Sequence, residues 1–198
     1  VLQCAYTCEK ARLVVHEMTD LLALDLLEKR VVTDQMTLTV GYDIENLTDP
    51  VRRKKYKGEV TVDRYGRRIP KHAHGSVNLD RQTSSSELII NAVLKLYDEI
   101  TDKNLLVRRI SVTAGRVVSE DLAREKENFE QLELFTDYEA REKEKKKEEE
   151  RLQRERRMQE AVLDIKKKFG KNAVLKGMNF EEGATARERN RQIGGHRA

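Results

Sequence analysis

Basic side chains are concentrated in one short segment, residues 51–74. Nine of its residues are lysine or arginine, against two acids, Glu59 and Asp63, which leaves seven net positive charges. The nine are Arg52, Arg53, Lys54, Lys55, Lys57, Arg64, Arg67, Arg68 and Lys71. Tyr56 and Tyr65 stand between them. Positive charge interleaved with aromatic rings favours contact with nucleic-acid phosphates over the alternative, a solvated charged loop.

A second pattern lies at residues 131–135, where Gln131, Leu132, Leu134 and Phe135 stand between highly charged neighbours. The glutamine amide both donates and accepts hydrogen bonds, and the large apolar side chains can fill pockets. Such a short peptide cannot build a core of its own. Two interpretations remain open: the apolar side chains cover the edge of the preceding domain, or the segment is a linear motif that binds in a partner's groove.

The composition predicts one domain of ordinary size followed by an extension. Of the 198 residues, 37% are charged, against roughly a quarter in typical globular domains. No apolar run is long enough to span a membrane, and no signal segment opens the chain, so we expect a cytoplasmic protein. Cys4 and Cys8 are expected to be free thiols, because no zinc-type cluster accompanies them. Because the chain opens at Val1, inside an apparent strand, we expect that part of a longer protein precedes it.

Two amphipathic helices are predicted in the first half of the chain. Thr7 can cap a helix over residues 8–29, and apolar residues recur there at helical spacing. Its predicted core residues are Ala11, Val15, Met18, Leu22 and Leu26. Ser84 and Glu87 have the spacing of a capping box, which predicts a second helix from there to about residue 100.

Alternating polar and apolar residues predict strands at 36–42 and 73–79. Residues 1–6 and 107–117 complete the order strand, helix, strand, strand, helix, strand. This order predicts an α+β fold, a four-stranded sheet with two helices on one face. The polar residues expected on the other face are Thr37, Thr39, Ser76, Asn78, Arg109, Ser111 and Thr113.

The remaining chain is predicted to form a long charged helix and a flexible basic tail. Residues 138–169 are rich in Glu, Lys and Arg, with helix-supporting pairs four residues apart. The first half of this helix has no apolar stripe and is expected to stand free in solvent. Its end carries a stripe of Met158, Val162, Ile165 and Phe169. Glycines and scattered arginines in 170–198 predict flexibility.

Most of the chain resembles the C-terminal part of one protein family. The segments that carry the resemblance are residues 1–2, 37–42, 74–79, 81–85, 107–112, 169–175 and 193–196. They are similar to the little-finger domain and C-terminal tail of bacterial Y-family translesion DNA polymerases of the UmuC/ImpB type. The resemblance implies that the domain binds primer-template DNA regardless of its base sequence. It implies that the polymerase acts in DNA repair and SOS mutagenesis. It also implies that the peptide 131–135 is the motif that binds the bacterial sliding clamp.

With this resemblance, the basic residues are expected to contact DNA phosphates. The expected DNA-binding residues are Arg52, Arg53, Lys54, Lys55, Arg67, Arg68, Lys71, Arg81, Arg108 and Arg109. No catalytic carboxylate constellation of a polymerase palm is visible in the sequence. The chain itself is therefore expected to need no cofactor, and Mg²⁺ would belong to a catalytic part outside it.

The predicted organisation has four parts. Residues 1–118 form a little-finger-like domain with a basic insertion at 43–72, and 119–137 form a linker with the clamp motif. Residues 138–169 form the charged helix and 170–198 the tail. Two alternatives stay open: a stand-alone nucleic-acid-binding protein, and a structural or assembly protein built on the charged helix.

Overall fold

A computed structural model describes residues 1–130, 138–193 and 196–197, with side chains described for 1–125 and 146–192. The helices are α1 (Cys8–Glu28), α2 (Glu45–Thr48), α3 (Pro50–Lys55), α4 (Ser86–Ile100), α5 (Glu120–Glu130), α6 (Tyr138–Phe169) and α7 (Ala186–Arg189). The strands are β1 (Val31–Tyr42), β2 (Val60–Val62), β3 (Arg68–Pro70), β4 (Ala73–Thr83), β5 (Val107–Gly115), β6 (Val118–Ser119), β7 (Gln192–Ile193) and β8 (His196–Arg197). A 3₁₀ turn forms at Gly177–Phe180.

The central sheet has four antiparallel strands in the order β4–β1–β5, with β6 paired to the start of β1. On one face Met36, Leu38 and Val40 of β1 are fully buried. Helices α1 and α4 pack on that face and against each other. Val15 of α1 and Val93 of α4 are also fully buried. This arrangement confirms the predicted α+β fold, because the apolar alternation of β1 and the helical stripes meet in one core.

The opening segment differs from the predicted first strand. It forms one antiparallel bridge, between Tyr6 and Val107 of β5. The Leu2 amide also donates to the Arg108 carbonyl over 2.9 Å. The chain bends at Gln3 and Cys4, and the bend interrupts a regular ladder. The fourth strand of the sheet is therefore β6 rather than residues 1–6.

The start of α4 is formed differently from the predicted capping box. Ser85, not Ser84, is the N-cap residue, and its hydroxyl accepts a hydrogen bond from the Leu88 amide at 3.2 Å. The Glu87 amide donates to Glu155 of α6 at 2.9 Å, and the Ser85 hydroxyl donates to the same carboxylate. The carboxylate that accepts hydrogen bonds at the start of α4 thus comes from a distant helix, whereas the sequence predicts a local carboxylate there.

Helix α6 is the predicted charged helix, and it lies against the domain through a polar face. Gln159 is buried and donates to the Ser86 hydroxyl at 2.7 Å and to the Ser84 carbonyl at 3.3 Å. Arg156 donates two hydrogen bonds, of 2.9 and 3.0 Å, to the Glu120 carboxylate at the start of α5. Hydrogen bonds to the start of α4 and an ion pair with α5 therefore hold this part of α6 against the domain.

Two expectations for α6 differ from the structure. Its first half does not stand entirely free, because Glu148 pairs with Arg81 and Arg151 pairs with Glu87. The predicted stripe is not the contact face: the side chains of Met158 and Phe169 are 63% and 68% exposed. The contact face is rotated from that stripe by about a quarter turn, at 100° per residue, and is mostly polar.

The predicted flexible tail contacts α1 over the part that the structure describes, 170–193. Glu17 of α1 is 3% exposed and accepts hydrogen bonds from Asn179, Thr185 and the Ala186 amide at 2.8 to 3.1 Å. Arg189 lies 3.6 Å from the same carboxylate. One buried acid of the domain thus contacts four residues of the tail, between Asn179 and Arg189.

Candidate nucleic-acid interface

The sheet face opposite α1 and α4 is open and lined with short polar side chains. Thr37 lies between Ser76 and Thr113 in the register of the three long strands. Its hydroxyl and that of Ser76 are 2.8 Å apart. Thr39 is hydrogen bonded to Nδ1 of His74 at 2.9 Å. These bonds run sideways between neighbouring strands, so the side chains are ordered while one side of the sheet stays accessible.

Arg109 is the exposed arginine at one end of this open face. Its partner in β1 is Gly41. A Cβ atom at Gly41 would lie 3.2 Å from the Cβ atom of Arg109, closer than most such contacts. The glycine therefore leaves room for the arginine side chain to cross over β1, which extends its reach over the open face.

Arg108, the neighbouring predicted phosphate contact, is directed elsewhere. The register of β1 and β5 shifts between Gly41 and Tyr42, which makes Arg108 the extra residue of a bulge. Its guanidinium lies 3.7 Å from the carboxylate of Asp43. The structure thus places Arg109 on the open face and pairs Arg108 with an acid at the strand end.

The basic insertion contains the hairpin that the sequence predicts, β2–β3, and also the short helix α3. Asp49 caps α3 by accepting from the Arg52 amide at 2.7 Å, and Pro50 begins the helix. The predicted contacts Arg52, Arg53, Lys54 and Lys55 follow in succession. Positive charge at the carboxyl end of a helix is favoured by its dipole. Four consecutive residues turn around the helix axis, so they point in several directions.

Some insertion cations are already paired within the insertion. Arg67 lies 2.7 Å from Asp63, and Lys71 lies 2.7 Å from Glu59. The hydrogen bond from Arg67 holds the pKa of Asp63 below its usual range, so this acid stays charged. Arg68, on β3, forms no salt bridge with any residue whose side chain is described. The predicted residues therefore differ in how much charge they leave for a ligand.

Arg81, another predicted DNA contact, lies far from Arg109. It lies near the end of β4, on the opposite end of the sheet from Arg109. Its guanidinium is 3.0 Å from Glu148 of α6. The charge of Arg81 is therefore already paired with an acid of α6.

Arg116 is a basic residue of this face that the sequence analysis missed. It has a left-handed backbone, with φ of 46°, immediately after β5. Its guanidinium contacts Asp34 at 2.7 Å and donates to the Asn78 amide oxygen at 2.7 Å. Six residues of strand, about 20 Å, separate this end of β5 from Arg109. Strand alternation ends at Gly115 and carries no signal for a residue in a turn of this kind.

Three other expectations concern parts of the chain or ligands rather than this face. Gln131, Leu132, Leu134 and Phe135 lie outside the described residues, so the clamp motif stays a prediction. Among the residues that the structure describes, no group of three or more His, Cys, Asp or Glu side chains is arranged to hold a metal ion. None of the described helices is long and apolar enough to cross a membrane.

Comparison with known proteins gives one match. The model of the impB/mucB/samB family C-terminal domain matches residues 5–134. No curated protein and no solved structure matches the chain. The matched range contains the whole sheet, both core helices and the basic insertion. The chain therefore belongs to the impB/mucB/samB family and carries its C-terminal domain, the little-finger domain of Y-family DNA polymerases.

Proposed function

We propose that this chain holds duplex DNA for a translesion polymerase by its phosphates, without reading the base sequence, and tethers that polymerase to a sliding clamp. Family membership supports a DNA-binding role. The observation that carries the phosphate contact is the open sheet face, where the exposed Arg109 pairs with Gly41 beside an insertion with a large positive charge. Catalysis with Mg²⁺ belongs, in this proposal, to a palm domain outside the chain.

Phosphate contact fits the side chains of the open face. Hydroxyls such as those of Thr37 and Thr39 donate to phosphate oxygens, and Arg109 supplies the charge. Short polar side chains on a sheet do not reach base edges in the way that a helix in the major groove does. Such a surface holds a damaged template as firmly as an intact one, which is what a bypass polymerase needs during SOS mutagenesis in the cytoplasm.

The clamp tether rests on the residue types of 131–135. Leu134 and Phe135 supply two large apolar groups, and Gln131 supplies an amide that both donates and accepts. The segment lies between α5, which ends at Glu130, and α6, which begins at Tyr138. A tether raises the local concentration, at the primer end of the DNA, of a polymerase that binds DNA weakly.

Arg109→Ala tests the DNA contact, with Arg81→Ala as its matched control. We expect Arg109→Ala to weaken binding to all duplex sequences alike and to reduce the salt slope by about one unit. Arg81→Ala should change affinity little, because Glu148 already pairs with Arg81. Fluorescence anisotropy over a salt series measures both quantities. Equal effects of the two substitutions, or a marked preference for one DNA sequence, would overturn the assignment.

Leu134→Ala combined with Phe135→Ala tests the tether. We expect the double variant to lose binding to the bacterial sliding clamp while its DNA affinity and folding stay unchanged. The control is Leu122→Ala, which removes another exposed leucine, on α5, outside the motif. Biolayer interferometry with immobilised clamp measures the binding. If the double variant unfolds the domain, or binds the clamp as well as the parent, the segment covers the domain edge instead.

A further inference from the structure

An exposed aromatic ring stands at the tip of the β2–β3 hairpin, between two arginines. Tyr65 is 64% exposed. The guanidinium carbon of Arg64 lies 4.7 Å from the ring centroid, and that of Arg67 lies 5.1 Å from it. Val62, beside them, is 66% exposed. The tip therefore presents an aromatic face and planar cations to solvent, away from the hydrophobic core.

The turn beneath this ring is held in one conformation by Asp63. One carboxylate oxygen accepts from the Tyr65 amide at 2.8 Å and from the Arg67 amide at 3.0 Å. The other accepts from Nε of Arg67 at 2.8 Å. Gly66 has φ of 77°, a conformation that favours glycine. An aromatic side chain on a fixed turn loses little conformational freedom when it binds a ligand.

The two arginines are held differently. Arg67 is bound to Asp63 through both its backbone and its side chain, so it stays beside the ring. Arg64 contacts the Tyr65 hydroxyl and forms no salt bridge with any residue whose side chain is described. The charge of Arg64 is therefore available to an anion next to a group that stacks on Tyr65.

We propose that the hairpin tip is a stacking site for an unpaired nucleobase, with Arg64 on the phosphate beside that base. Every base has a flat face that stacks on aromatic side chains, and arginine adds a cation–π contribution. Bases inside a duplex have both faces covered by their neighbours, so the site selects single strands. The inference rests on the proposed function and adds a second kind of DNA contact to the phosphate contacts of the sheet.

The base of the hairpin lies toward the Arg108 end of the open face. Strand β3 of the hairpin ends at Pro70, and Ala73, three residues later, pairs with Val40 of β1. Gly41, the next residue of β1, pairs with Arg109. A duplex on the open face would therefore have its single-stranded extension near Tyr65, which makes a single-strand–duplex junction the ligand expected to bind best.

The test uses the full chain and three DNAs: a single strand, a blunt duplex, and a duplex with an overhang that carries 2-aminopurine. We expect Tyr65→Ala to weaken binding to the single strand and the overhang DNA about tenfold and to leave the blunt duplex within twofold. Tyr65→Phe keeps the ring and should bind like the parent. Val62→Ala removes another exposed side chain of the hairpin and serves as the control.

Fluorescence separates stacking from simple charge attraction. We expect the parent to quench 2-aminopurine in the overhang and Tyr65→Ala to lose that quenching. Equal weakening of all three DNAs by Tyr65→Ala, or no effect on any, would overturn the stacking site while duplex binding through Arg109 stands. If the parent binds none of the three DNAs, both this site and the proposed function fail.

Discussion

Polar side chains line two surfaces of the domain, and they are exposed on one and buried on the other. On the open sheet face, Thr37 and Thr39 form sideways hydrogen bonds and face solvent. Where the C-terminal segments contact the domain, Glu17 of α1 and Gln159 of α6 are buried, and each binds donors or acceptors from a distant part of the chain. Residue type alone does not distinguish these surfaces. What differs is whether the fold supplies a partner above the side chain.

This difference separates polar groups that stabilise the fold from those available to a ligand. A buried polar group must be hydrogen bonded, and it becomes costly when its partner is lost. An exposed one contributes little to stability and can exchange water for a ligand. The variants below test this division, in order of decreasing expected effect on the free energy of unfolding.

Removal of the buried acid should have the largest effect. Glu17→Ala leaves Arg189 and the donors of the tail without their acceptor, and we expect the free energy of unfolding to fall by about 3 kcal/mol. Urea denaturation measures it. Asp98→Ala, which breaks an exposed pair with Arg12, is the control and should cost far less. A loss no larger than that of the control would show that the tail contacts contribute nothing to stability.

Glu155→Ala tests the contact between α6 and the start of α4. The substitution removes the acceptor of the Glu87 amide and of the Ser85 hydroxyl, so a loss of about 1 kcal/mol is expected, as for other helix caps. Glu160 lies on the same helix and, among the residues whose side chains are described, pairs with Arg156 alone, so Glu160→Ala should change stability very little. Thermal unfolding of the two variants compares them directly. Equal shifts in Tm would contradict the capping role.

A pH dependence should come from His16, on α1. Burial lowers the pKa of His16 below its usual range; the charges of Asp20 and Glu17 oppose this lowering, and those of Lys176 and Arg12 add to it. The unfolded chain then binds this proton more readily than the folded one, so stability should fall as pH drops below about 6.5. The parent should lose more stability than His16→Gln between pH 8 and 5.5. Urea midpoints measure the loss. If the midpoints of the parent and of His16→Gln shift equally between the two pH values, His16 does not contribute to the pH dependence.

The smallest effect on stability is expected on the open face. Thr37→Ala removes one exposed hydroxyl contact with Ser76, and we expect a change within about 0.5 kcal/mol. Its effect should appear instead in DNA affinity, as a modest loss in anisotropy titrations. A stability loss comparable with that of Glu155→Ala would show that polar groups of the open face also stabilise the fold, and would contradict the proposed difference between the two surfaces.

The sequence predicted the parts of the fold that depend on local periodicity. Alternation in β1 and β4 and the apolar spacing in α4 were sufficient, because one face of each element is buried. The α6 contact was missed, since its face is polar and Gln159 meets partners 73 and 75 positions away. The different settings of Arg108 and Arg109 depend on a bulge, which sequence alternation does not reveal. Arg116 was missed because it lies in a left-handed turn.

The buried position of Glu17 also has a consequence for the order of events during biosynthesis. Its four hydrogen bonds from the tail join residues 162 to 169 positions apart. A ribosome that makes the chain from its amino end exposes Glu17 long before any of these donors exists. The sheet and its two helices can assemble first, with Glu17 in water, and the tail docks as a late event. Desolvation of this carboxylate is thus postponed until the partners that compensate for it have been synthesised.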